Sequence, residues 1–242
     1  GHDYTPPVFK GAKIYCLDAY TGEELWESLS FDIVSSPACA DGYMVWFNGY
    51  DNQVYCYGKG PSATTVQAPL TASTLGESVV IQGTVIDKSP GTEEYTQTAR
   101  FSNGVPAISD ESQSAWMEYL YQQQPKPADA AGVEVMIDVI DANGNYRNIG
   151  SATSDADGFF SFKWVPDIDG KYTVIATFAG SDSYYASHAK AAFVVDPAPE
   201  ATPEPTQAPA SLADQYMLPG IGIIVAAIAI VGVVLALLLK KR

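Results

Sequence analysis

The chain has 242 residues, 47% of them apolar, and 28 acidic against 13 basic side chains give a net charge of −15. This balance argues against a nucleic-acid partner, because phosphate recognition needs clustered Lys and Arg and the only such cluster is Lys240-Lys241-Arg242. Fifteen Tyr, nine Phe and four Trp argue against disorder of the whole chain, while two His and three Cys leave little for a metal centre or a nucleophile–base pair.

Lys13-Ile-Tyr-Cys-Leu17 and Gln53-Val-Tyr-Cys-Tyr57 align at an offset of 40 residues, with Cys16 on Cys56. Both alternate as strands and both are entered from a turn. Between them stand Glu24-Leu-Trp26, Ser35-Ser-Pro-Ala-Cys39, the turn Ala40-Asp-Gly42 and the strand Tyr43-Met-Val-Trp-Phe47. Three to four short strands in such a repeat is the density of a β-propeller blade, so residues 1–66 are predicted to hold a partial propeller, about one blade plus a strand.

The run Cys16-Leu-Asp18-Ala-Tyr-Thr21-Gly22-Glu-Glu-Leu-Trp26 resembles the Ala-x-Asp-x-x-Thr-Gly-x-x-x-Trp signature of pyrroloquinoline-quinone-type propeller repeats. That resemblance implies that Trp26 docks between neighbouring blades and that Thr21-Gly22 turns between two strands. It implies no chemistry, since many proteins with these repeats act as scaffolds or interaction platforms. Blades need neighbours, so the segment is expected to belong to a longer secreted precursor, with a small independent β-domain as the alternative. Taken alone it should be poorly stable, because Trp26, Trp46 and Phe47 would lack a blade to bury them. Cys16 and Cys56 at equivalent positions would form a disulfide if their Cα atoms lay about 4.4–6.8 Å apart. The expectation is instead that the cysteines are buried free thiols acting as small apolar groups.

From Ala68 the punctuation changes. Ser78–Ile86, Val133–Ile140, Tyr146–Ala152, Phe159–Trp164, Tyr172–Phe178 and Ser187–Val195 alternate as strands, separated by Asn-Gly and Asp-Gly turns, and predict a β-sandwich over 67–196. Thr153-Ser-Asp-Ala-Asp-Gly-Phe159, Trp164-Val-Pro166, Gly170-Lys-Tyr172 and Phe178-Ala-Gly-Ser-Asp-Ser-Tyr-Tyr-Ala-Ser187 resemble extracellular immunoglobulin-like domains of prokaryotic surface proteins. The resemblance implies a spacer or adhesive module. An insertion at 89–131 interrupts the pattern. In it Asp110–Gln122 reads as a short helix, with Asp110 as N-cap, Gln113 three residues on, and Trp116, Leu120 and Met117 on one face. This aromatic stripe is the first candidate for a contact surface, although docking on its own domain is the commoner use of such a stripe.

No catalytic, cofactor-binding or metal-ligating residue is assigned. Asp141-Ala-Asn-Gly-Asn145 begins like a calcium loop, but Tyr146 replaces the glycine at position six and no Glu closes it, so it reads as a hairpin turn. Asp155, Asp157, Asp167 and Asp169 would offer a loose calcium site if their turns met at one end of the sandwich. His188 has no Ser and Asp arrangement around it that suggests a triad.

Asp196–Ala210 alternates Pro with Ala, Thr and Glu, and 197–216 is expected to be an extended stalk. Residues 217–239 then run without a charge, long enough as a helix to cross a bilayer, and Lys240–Arg242 form a basic tail that stays cytoplasmic. A single-pass plasma-membrane protein with its N-terminal portion outside follows. The Pro-rich stretch, Pro219-Gly220-Ile221, the apolar helix and the basic end together resemble the C-terminal sorting signals of archaeal surface proteins. Ile221 stands where that family has Phe, and a retained anchor is the expectation. The leading function is a membrane-anchored surface protein that binds or scaffolds other surface proteins or surface polymers, non-catalytic in this stretch. The alternative is the C-terminal part of a quinoprotein dehydrogenase whose catalytic centre lies upstream of Gly1.

Overall fold

A computed structural model describes residues 11–31, 37–199 and 211–241; the centre of the expected stalk and Arg242 lie outside the described residues. The protein is mainly β, with a long apolar helix at its C-terminus, and divides into two units, 1–198 and 199–242.

Strands β1 (Lys13–Leu17) and β2 (Glu24–Leu29) form a hairpin. Its turn is held by the Asp18 carboxylate, which accepts the N–H groups of Tyr20 at 2.9 Å and Thr21 at 2.7 Å. Gly22 closes it at φ 75, a conformation that a side chain would strain. Strands β3 (Ala38–Ala40), β4 (Tyr43–Asn48) and β5 (Gln53–Tyr57) form a second antiparallel sheet. Asp41 and Gly42, both at positive φ, make the two-residue hairpin loop whose twist suits antiparallel strands.

The five strands therefore divide two and three, where a single blade plus a strand was expected. The 40-residue repeat runs from one sheet into the next. Trp26 of β2 stacks on Tyr57 of β5 across the gap, ring centres 5.2 Å apart and 13° from parallel. Asn48, buried at the end of β4, also ties the sheets together: its Nδ2 donates to the Leu29 carbonyl at 3.1 Å and its Oδ1 accepts the Phe31 N–H at 3.1 Å.

Beyond them, β6 (Ser62–Thr64), β8 (Val79–Asp87) and β11 (Phe159–Trp164) form a three-stranded sheet ordered β11-β8-β6. β7 (Ser73–Thr74), β9 (Glu134–Ile140), β10 (Tyr146–Thr153), β12 (Gly170–Phe178) and β13 (Ser187–Asp196) form a five-stranded sheet ordered β10-β9-β12-β13-β7. All pairings are antiparallel except β13 with β7. The alternating apolar residues of both sheets meet in one core, with Ile81, Val85 and Phe160 from the smaller and Ile137, Tyr172, Val174 and Phe193 from the larger. β6 precedes residue 67 in the chain, yet it pairs with β8.

The insertion carries a 3-10 turn at Pro90–Glu93, helix α1 (Tyr95–Arg100) and helix α2 (Asp110–Tyr121). Trp116 and Leu120 of α2 close over Val105 and Ile108 in a second apolar cluster, with Phe101 and Tyr119 packed on it. Ser109, and not Asp110, holds the N-cap position; Asp110 is the first helical residue because its carboxylate is engaged elsewhere.

In the other unit α3 (Leu212–Lys240) starts before the expected residue 217 and runs through Pro219. Its stretch Gln215–Lys240, 26 residues, is long and apolar enough to cross a membrane.

Candidate functional site

Helix α2 is the hub of the larger unit. Ser114, Glu118 and Gln122 lie at successive i+4 positions and form one polar row along it. The row faces β2. The Leu29 N–H donates to Glu118 Oε1 at 2.8 Å and the Glu27 N–H approaches Ser114 Oγ at 3.4 Å. Gln122 Nε2 donates to the Leu29 carbonyl at 2.9 Å and to Ser28 Oγ at 3.2 Å. The edge of β2 away from β1 is thus covered by helix side chains, one of the ways a sheet edge is protected from pairing. Nearby, Tyr55 OH donates to Asp51 Oδ2 at 2.6 Å and reaches the Tyr121 carbonyl at 3.4 Å. Burial, then the Asp51 carboxylate, push the Tyr55 phenol well above its ordinary range.

The aromatic stripe, first candidate for a contact surface, is docked on its own domain, the commoner use of such a stripe. Trp116 and Leu120 are fully buried and Met117 packs against the same cluster, because the apolar face of α2 roofs the insertion while its polar face meets β2. At the helix start the Asp110 carboxylate accepts the N–H groups of Asp182 at 2.9 Å and Ser183 at 3.0 Å, and the Ser181 hydroxyl at 3.0 Å. Burial works against its ionisation, but these donors outweigh that and hold the Asp110 carboxyl below its usual value. Gln113 meets Tyr184 OH at 3.2 Å, and that buried hydroxyl lies 3.4 Å from Asp87 Oδ2.

The four turn aspartates do not converge. Asp155 and Asp157 precede β11 and Asp167 and Asp169 follow it, so an extended strand of six residues, about 20 Å long, separates the pairs. Asp155 accepts the N–H groups of Asp157 and Phe159, each at 2.9 Å. Asp167 pairs with Arg147 through both guanidinium Nη atoms and accepts from Tyr172 OH at 3.1 Å. The Arg147 contact holds the Asp167 carboxyl down at about 2. Asp141 accepts the N–H groups of Asn143 and Asn145 in a hairpin turn. Among the described residues no three His, Cys, Asp or Glu side chains come together as metal ligands. His188 lies exposed on β13 opposite Thr177.

The cysteines are free thiols, and Cys39 and Cys56 are exposed where burial was expected; Cys16 is half-buried. Cys56 shares a sheet face with Val45 and Val54, 40% and 67% exposed, and with Tyr43, 44% exposed. No described element covers that face fully. An open cleft of about 240 Å³ lies beside Asp110, Glu134, Met136 and Phe178, with the Asp110 carboxylate already engaged by the 181–183 loop.

No family model matches the chain, and no curated protein matches it. Among solved structures, a tetra-tandem repeat in the extending region of a large adhesion protein is similar over 73% of this chain and 36% of its own, at 18% identity and a TM-score of 0.33. The chain therefore spans about a third of that structure's length.

Proposed function

We propose that the chain is a single-pass membrane protein of the cell surface, its β-rich unit outside and Lys240–Arg242 in the cytoplasm, and that this unit binds or scaffolds other surface proteins or polymers. The observation that carries the reading is the stretch Gln215–Lys240, apolar throughout its centre, which ends directly in Lys240-Lys241. The Pro- and Thr-rich stretch before it has the composition of a spacer.

Two finer assignments belong to this reading. The two sheets over one core, with a parallel strand pair at one edge, support an immunoglobulin-like domain carrying its insertion between β8 and β9. The stacking of Trp26 on Tyr57 between successive sheets supports propeller-type repeats in the N-terminal part.

The test is to express the chain in cells, extract membranes with alkaline carbonate and treat intact cells with protease, detecting residues 67–196 with an antibody. The reading expects the chain to stay in the membrane pellet and to lose the epitope on intact cells. Release into the supernatant would refute the anchor, and an epitope protected until lysis would refute the orientation.

A further inference from the structure

Two sets of contacts converge on residues 181–187, the loop that leads into β13. From one side comes the chain that leaves the N-terminal sheets. The Gly60 N–H donates to the Ser183 carbonyl at 2.9 Å and the Tyr185 N–H donates to the Gly60 carbonyl at 2.8 Å, so residue 60 pairs with residue 184 in parallel. Ser62 Oγ donates to the Tyr185 carbonyl at 2.6 Å and lies 2.8 Å from Ser187 Oγ, which is also 2.7 Å from Thr64 Oγ1. From the other side comes α2. Its Asp110 carboxylate holds Ser181, Asp182 and Ser183, and Gln113 Nε2 donates to the buried Tyr184 hydroxyl at 3.2 Å. The same helix binds β2 through Glu118 and Gln122. Both routes out of the N-terminal sheets, along the chain and through α2, therefore end at one segment.

β13 continues from that segment for 10 residues, about 30 Å, to Asp196. At its far end Val195 pairs with Ser73 and Asp196 with Thr74, again in parallel, and the Leu75 N–H donates to the Asp196 carbonyl at 2.9 Å. Residues 60–74 thus follow 184–196 in the same direction and are tied to them at both ends. Beyond Asp196 the chain runs through the Pro-rich stretch to α3. A pull on the chain before Gly60 and a pull on the chain after Asp196 act in opposite senses along these parallel neighbours. The ties between them share the strain and must break together. An antiparallel pair pulled apart from one end opens a rung at a time, because its hydrogen bonds come in successive pairs.

We propose that residues 181–187 are the junction through which the two-sheet unit carries tension between the N-terminal sheets and the membrane anchor, the 60–64 segment and the head of β13 being held in shear. The junction resists such a pull only if it is held from behind, and Asp110 does this with hydrogen bonds to an ionised acceptor, the stronger kind. The inference rests on the anchor proposed above and gives the two-sheet unit a mechanical role beside it.

Single-molecule pulling tests it on the full chain in a detergent micelle. In one geometry the handles sit at the two chain ends. In the other, a peptide tag in the exposed 142–145 turn replaces the N-terminal handle. That turn and Asp196 lie at the same end of the unit, since Ile140 is opposite Thr173 and Gly170 opposite Val195, so the second pull peels β13 from its tail. In the first geometry the event is recognised by the release of residues 60–196, about 450 Å of extended chain. Its force should be about twofold higher than that of the peeling geometry, where the rungs yield in turn. Asp110→Ala and Ser187→Ala should lower the end-to-end force and leave the turn-to-end force unchanged, a split that a general loss of stability would not give. Equal forces in the two geometries of the parent chain would overturn the proposal, and so would variants that lower both forces alike. The parent comparison needs no substitution in the junction, so it decides even where a variant does not fold. These forces are read on the purified chain and leave the carbonate and protease results standing, so failure here is distinguishable from failure of the anchor.

Discussion

Glu118 accepts the N–H of Leu29 at 2.8 Å across 89 residues of sequence. Through this contact a helix inserted between β8 and β9 satisfies the edge of β2, a strand of the N-terminal sheets. Glu118→Ala removes the acceptor and leaves the half-buried Leu29 N–H without its partner, which should cost about 1–3 kcal/mol. Glu118→Gln keeps an acceptor oxygen and should lose less. Urea denaturation and amide exchange at Leu29 measure both, with faster Leu29 exchange in the alanine variant. Equal losses in the two variants would assign the contribution to charge and not to the hydrogen bond.

The strands were legible because their cause is local. Period-two alternation in Val79–Asp87 and Gly170–Phe178, and Asp-Gly or Asn-Gly at the turns, are written within a few residues of each other. The helix Asp110–Tyr121 was legible for the same reason. Its destination was not. A polar row such as Ser114, Glu118 and Gln122 looks in sequence like a solvated face, and only the fold brings Leu29 to it. Asp110 carries the residue type of a cap, but the 181–183 loop, 71 to 73 residues away, competes for its carboxylate and wins. The aspartate pairs 155/157 and 167/169 are close in sequence, yet the strand between them is extended and carries them apart. The equivalence of Cys16 and Cys56 was set by the repeat, whereas their exposure depends on what covers each sheet face, which a repeat alone does not specify.

Trp116 is fully buried, with its ring centre 5.3 Å from that of Tyr119 and 6.1 Å from that of Phe101. Its indole N–H has no acceptor among the described residues. Trp116→Ala should therefore cost about 3–5 kcal/mol through the cavity it opens. Trp116→Phe keeps an aromatic ring and deletes an unpaired buried donor, so its loss should be well under half as large. Chemical denaturation of the two variants checks the ratio. A Phe variant as damaged as the Ala variant would mean that the indole N–H has a partner in solution.

Asp87 sits at the end of β8 with 3% of its surface exposed. Burial pushes its carboxyl above the ordinary value, while the Ser89 N–H at 2.7 Å and the more distant Tyr184 hydroxyl pull it back. A raised folded-state pKa stabilises the fold fully below the unfolded value, about 3.9, and that contribution is lost as pH rises through the folded value. Asp87→Asn keeps an acceptor for Ser89 without the charge. Its melting temperature should exceed the parent's at pH 7 and converge with it near pH 3. A variant less stable than the parent at pH 7 would show that the ionised carboxylate is the form the site is built for.

Asp167 carries the opposite sign. The Arg147 guanidinium grips its carboxylate through both Nη atoms and lies over the Trp164 ring at 5.8 Å, so the pair is oriented although both groups face solvent. With Asp167 held at about 2, its contribution to stability is complete above the unfolded value near 3.9 and fades as pH falls toward 2. Solvent screening limits an exposed pair to about 0.2–1 kcal/mol. Arg147→Ala should raise the Asp167 titration midpoint, followed by carboxyl NMR, toward the ordinary value and move acid unfolding to higher pH. Arg147→Lys keeps the charge but not the two-point grip and should fall between. If Asp167 of the parent titrates near 4 in low salt, the pairing is not populated in solution, and the turn after β11 is held by the Tyr172 hydroxyl on the Ile168 carbonyl instead.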